Sequence, residues 1–158
     1  MRTPTSPRTF VLPVFVVLLS IVAAATAVLA GKDRPVNTGR DGLAVKGYDV
    51  VAYMTEGKPV EGNPAFEIEW NGARWQFANA AHRDLFVRSP EKYAPQFGGY
   101  CAWAVSRNYT ADADPQAWSV VDGRLYLNYS KRVQSQWLED VPGHIARARA
   151  NWPAVLEK

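Results

Sequence analysis

The chain has 158 residues, 47% of them hydrophobic and 21% charged, the length and composition of one globular domain with room for a real core. Its net charge is +3, and without Arg2 and Arg8 the balance is 16 basic against 15 acidic side chains, which leaves no electrostatic case for binding nucleic acid. Cys101 is the single cysteine, so an intramolecular disulfide is excluded.

Residues 1–30 open with Arg2 and Arg8 and continue through an uncharged apolar run from Phe10 to Ala30. Val28 and Ala30 are small residues at the −3 and −1 positions before Gly31. The pattern reads as a signal peptide or, uncleaved, as an N-terminal membrane anchor. Either way the rest of the chain is expected outside the cytoplasm, periplasmic or extracellular. Residues 31–42 (GKDRPVNTGRDG) lack periodicity and read as a flexible tether. The domain is expected over 43–158.

Within it, LAVKGYDVVAYM has a strand-like start and a turn at Gly47. Phe66–Trp70 alternates apolar and polar residues, Asn71-Gly72 follows, and Arg74–Phe77 alternates again. This is a hairpin on a type I′ turn, whose two central residues need positive φ. Asn79 is positioned to cap a helix through AAHRDLFVRS. Pro90 opens a short turn. A second hairpin is read from Trp118–Val121, Asp122-Gly123 and Leu125–Leu127. Ser130 is the cap of a helix carrying Val133, Trp137 and Val141, and Pro142 opens a last helix. No internal repeat is read. Hairpins followed by helices indicate an α+β fold, a small single domain with short antiparallel β-hairpins packed against about four helices.

Three blocks carry a family resemblance: GYDVVAYMTEGKPVEGNPAF, WNGARWQFANAAHRDLFVRSPEKYAPQFGGYCAWAV and PQAWSVVDGRLYLNYSKRVQSQWLEDVPGHIARARANWP. Together they resemble the exported proteins that contain a YHS domain, from about Leu43 to Pro153. The resemblance implies a module similar to metal-sensing and metal-handling domains, with copper or another transition metal as the cofactor. In the wider group a Cys, three residues and a second Cys follow a strand ending in Phe. Those positions fall here on Ala78 and His82, so the dithiolate pair is absent. The group's Gly-Gly-Tyr-Cys-Ala stands at Gly98–Ala102.

Cys101 has two readings, a thiolate ligand or redox thiol beside a flexible Gly-Gly pair, and a small buried hydrophobe between Tyr100 and Trp103. His82 is either a neutral ring able to ligate or a half-buried histidine bonded to a loop carbonyl. Cys101 and His82 are the candidate metal ligands, and a metal site requires them to converge with at least one further donor. Tyr48, Asp49, Tyr100 and Trp103 are the candidate small-ligand contacts, Asp49 being read mainly as a turn or helix cap. His144 is read as a solvated face residue. Asn108-Tyr109-Thr110 and Asn128-Tyr129-Ser130 match the glycosylation acceptor pattern. There is no GxSxG or HExxH, so enzyme chemistry is not indicated. The expected function is an exported accessory protein binding a transition metal or small ligand. The alternatives are a non-catalytic domain that binds a protein partner, with Cys101 in its core, and a thiol-dependent redox enzyme. Membrane contact is expected only through residues 10–30.

Overall fold

A computed structural model describes residues 33–158. The signal or anchor reading of residues 1–30 lies outside them. Four strands form two antiparallel hairpins, β1 (Asn63–Trp70) with β2 (Ala73–Phe77) and β3 (Asp114–Val121) with β4 (Arg124–Asn128). Among the described residues six helices surround them: α1 (Ala52–Thr55), α2 (Ala80–Arg88), α3 (Pro90–Tyr93), α4 (Ala102–Ser106), α5 (Lys131–Leu138) and α6 (Val141–Asn151). The architecture is a small α+β domain, as expected. The helices beyond the expected four are single turns too short to show an apolar period. Val141 opens α6 rather than closing α5, because Asp140 accepts from the Gly143 N–H at 2.9 Å and caps a new helix.

Both hairpin turns have the left-handed central residues that Asn-Gly and Asp-Gly were read for. Asn71 and Gly72 have φ of 50° and 73°, and Asp122 and Gly123 have 49° and 68°. Asn79 Oδ1 accepts from the His82 N–H at 2.9 Å and Ser130 Oγ from the Val133 N–H at 3.3 Å, so both expected caps are made.

The chain contains an internal repeat that was not read from its residues. In the first hairpin Asn63 pairs with Phe77 and Glu67 with Gln76, with a bulge between; in the second Asp114 pairs with Asn128 and Trp118 with Leu127, with a bulge between. Each position is 51 residues on (63 to 114, 77 to 128), as is the cap Ser130 from Asn79. Before each hairpin lies a left-handed turn, Val45-Lys46-Gly47 (φ 50°, 53°, 80°) and Phe97-Gly98-Gly99 (φ 55°, 61°, 80°). Each turn leads through a tyrosine into α1 or α4. The Asp49 N–H then bonds the Val60 carbonyl at 2.8 Å and the Cys101 N–H the Ala111 carbonyl at 3.0 Å. The repeat escapes a sequence reading because its geometry tolerates exchange. Asn and Ser cap equally well, and Trp75 and Phe86 give way to Tyr126 and Trp137 at similar volume.

The two halves share β4. Its alternating side chains send Leu125 and Leu127 into the first core with Val50, Trp75, Phe77 and Phe86, and Tyr126 into the second with Phe97, Trp137 and Ala148. Residues 33–42 are not a free tether. Val36 is buried in the first core, the Asn37 N–H bonds the Gly98 carbonyl at 2.8 Å, and Asn37 Nδ2 reaches Asp112 Oδ1 at 2.9 Å. The segment is a strap whose polar residues find partners on the domain surface, which composition alone does not show. Gly98 is required by it: a Cβ there would stand 2.0 Å from the Pro35 carbonyl oxygen.

Candidate functional site

The repeat puts Asp49 and Cys101 in equivalent places. Asp49 is wholly buried. Its Oδ1 accepts from the N–H groups of Val51 (2.9 Å) and Ala52 (3.3 Å), and its Oδ2 from Ala78 N–H at 2.8 Å. The expected capping role is therefore present. Oδ2 also lies 2.6 Å from His82 Nδ1, which fixes the ring, while Nε2 faces Thr55 Oγ1 at 3.4 Å and Glu56 Oε1 at 3.9 Å. His82 is half-buried, but its partner is a carboxylate rather than a loop carbonyl.

Cys101 is 1% exposed. Its Sγ lies 3.8 Å from Asn128 Oδ1, which also accepts from the Trp103 N–H at 3.3 Å. Burial pushes the thiol pKa up, and the N–H groups of Ala104, Tyr129 and Trp103 at the sulfur pull it back in part. The buried reading of Cys101 thus holds, yet the residue also forms the floor of a cavity of about 220 Å³. Trp103, Ala104, Ala111 and Val133 wall it, and Tyr109 and Tyr129 stand at the mouth, 46% and 60% exposed. The Arg107 guanidinium lies 4.1 Å over the Trp103 ring, a cation–π contact that steadies that wall.

The structure does not bring His82 onto Cys101. His82 is held by Asp49 in the first half, Cys101 is bonded to Asn128 in the second, and His82 is absent from the cavity lining. Among the described residues no three His, Cys, Asp or Glu side chains are grouped to hold a metal ion. A copper ion at Cys101 would find no imidazole, thioether or second thiolate among the described residues that line the cavity.

Of the expected small-ligand contacts only Trp103 lines this cavity. Tyr48 reaches Glu61 at 3.5 Å and Gln116 at 3.4 Å, and Tyr100 holds the strap through its hydroxyl on the Arg34 carbonyl at 2.9 Å. His144 is buried rather than solvated. Its Nδ1 lies 2.9 Å from Ser106 Oγ and 3.2 Å from Arg147 Nη2, because α6 packs that face onto α4. Sequence reasoning missed Tyr109, Tyr129, Val133 and Asn128. The first two were visible only inside the Asn-Tyr-Thr and Asn-Tyr-Ser tripeptides, and Asn128 is wholly buried.

No protein-family model, curated protein or solved structure matches this chain.

Proposed function

We propose that this chain is an exported accessory protein of the YHS-domain kind, and that it binds a small, largely apolar ligand in the cavity over Cys101. One observation carries the reading: a concave apolar cavity whose wall and rim are aromatic and whose floor holds a single buried thiol. Ligand sites are apolar hollows with few, convergent polar groups. Tyr109 and Tyr129 leave large aromatic faces exposed at the mouth, a cost in water that an occupant would offset. At about 220 Å³ the cavity admits a molecule of roughly one to two rings, since about 150 Å³ takes benzene. Export rests on the apolar run before Gly31, and the family on the Gly98–Ala102 loop and the blocks around it.

The resemblance also suggests copper. With one sulfur among the described residues that line the cavity, a metal would need further donors. The test is a titration of the purified protein with a naphthalene-type fluorescent probe and, under reducing conditions, with Cu(I). Saturable probe binding lost in Val133→Trp, which fills the cavity, and kept in His82→Ala is the expected result. Cu(I) bound with one-to-one stoichiometry and lost in both Cys101→Ser and His82→Ala, without probe binding, would overturn the apolar-ligand reading in favour of a metal site. Neither probe nor Cu(I) binding would overturn it in favour of a docking domain for a protein partner.

A further inference from the structure

The repeat allows the surroundings of one residue to be read from those of its counterpart. At position 49 the N–H groups of Val51, Ala52 and Ala78 converge on two carboxylate oxygens, at 2.9, 3.3 and 2.8 Å. At position 101 the corresponding N–H groups, of Trp103, Ala104 and Tyr129, face a sulfur, the Trp103 N–H also donating to Asn128 Oδ1 at 3.3 Å. The two halves share the N–H that ties residue 49 to Val60 and residue 101 to Ala111, although α4 starts directly after Cys101 and α1 three residues after Asp49. The cradle in the second half is therefore one that holds a two-oxygen anion in the first, and a thiol fills only the place of the central carbon.

A second observation points the same way. Asn128 is wholly buried beside the sulfur, its Oδ1 is taken by Cys101 and the Trp103 N–H, and its Nδ2 has no partner among the described residues. A buried amide donor without an acceptor is costly, and an oxygen added to the neighbouring sulfur would supply one. The cavity wall includes Cys101 itself, so a small reagent has a way in.

We propose that Cys101 is an oxidation site, converted by a hydroperoxide to a cysteine sulfinate that the cradle holds as its counterpart holds the Asp49 carboxylate. In the first step the sulfur attacks the peroxide, the O–O bond breaks and an S–O bond forms. The thiol becomes a sulfenic acid, the thiol proton passes to the departing oxygen, and the peroxide leaves as an alcohol or water. A second peroxide oxidises the sulfenic acid to the sulfinic acid in the same way. The sulfinate has the shape of an aspartate with sulfur in place of the central carbon, which offers the Ala104 and Tyr129 N–H groups oxygens in place of the sulfur and Asn128 Nδ2 an acceptor. The cradle favours this stage over the sulfonate, whose third oxygen has no counterpart at Asp49.

The experiment treats the folded protein with hydrogen peroxide and follows its mass, with the site located by peptide fragmentation. The expected result is a gain of two oxygen atoms on Cys101 that stops there, is absent in Cys101→Ser and leaves the melting temperature unchanged or higher. A companion variant, Cys101→Asp, places the sulfinate's shape directly in the cradle and is expected to melt at or above the Cys101→Ser protein. A thiol that stays unmodified in the folded protein at peroxide levels that oxidise the urea-unfolded chain overturns the proposal. So does oxidation that runs on to the sulfonate with loss of the fold, or a Cys101→Asp protein markedly less stable than Cys101→Ser.

Discussion

Asp49 and Cys101 show how equivalent places in the repeat serve two side chains. Three N–H groups face the side chain at each position, and the residue's chemistry decides the outcome: a carboxylate that fixes His82 in one half, a buried thiol beneath a cavity in the other. His144 is the other residue whose surroundings set its behaviour. Arg147 Nη2 lies 3.2 Å from His144 Nδ1, where its positive charge opposes a second one on the ring. Burial lowers the His144 pKa, and Arg147 and Arg107 lower it further against the opposing pull of Asp140. A folded-state pKa below the ordinary value of about 6.5 means that the unfolded chain takes up the proton first as pH falls. Stability is therefore full above that value and is lost below it, until the folded protein is protonated too. Thermal midpoints measured from about pH 7.5 to about pH 5.5 should fall in the wild type and fall less in His144→Asn. Parallel pH curves for the two proteins would show that His144 does not couple to folding.

Turns and caps are the elements that the sequence announces best. Asn-Gly, Asp-Gly, Asn79 and Ser130 act within four residues of themselves, so their effect is written locally, and the structure contains each of them. Glycine shows where that locality ends. At Gly72 a Cβ would meet nothing within 4 Å, so Gly72→Ala should cost only the left-handed backbone penalty, about 1 kcal/mol. At Gly98 the same φ region is combined with a Cβ position 2.0 Å from the Pro35 oxygen. Gly98→Ala should cost more than about 3 kcal/mol, because the strap must lift or the turn must open. Urea midpoints measure both, and equal losses would mean that the strap yields freely. Sequence marks both glycines as turn residues, and only the packed strap separates them.

At the scale of the whole molecule the two repeats are joined by β4, which presents Leu125 and Leu127 to one core and Tyr126 to the other. Neither core closes without that strand. Leu127→Ala should destabilise the protein by about 3 kcal/mol, and unfolding should remain one transition with the same midpoint by far-UV circular dichroism and tryptophan fluorescence. Two separated transitions would show that the halves fold independently.

The sequence alone determined the α+β class, the two hairpins, their turn types and the caps of α2 and α5. Each depends on contacts between residues close in the chain, and period, turn chemistry and capping record such contacts directly. The tertiary structure decided the rest. It showed the duplication, which is carried by backbone conformation while few side chains repeat, and it docked residues 33–42 through partners some sixty to seventy-five positions away. It buried His144, separated His82 from Cys101, and gathered Tyr109, Tyr129 and Val133 over the thiol. Those three come from the loop after α4, the end of β4 and the first turns of α5. No local pattern links them, because what brings them together is the packing of whole elements around β4.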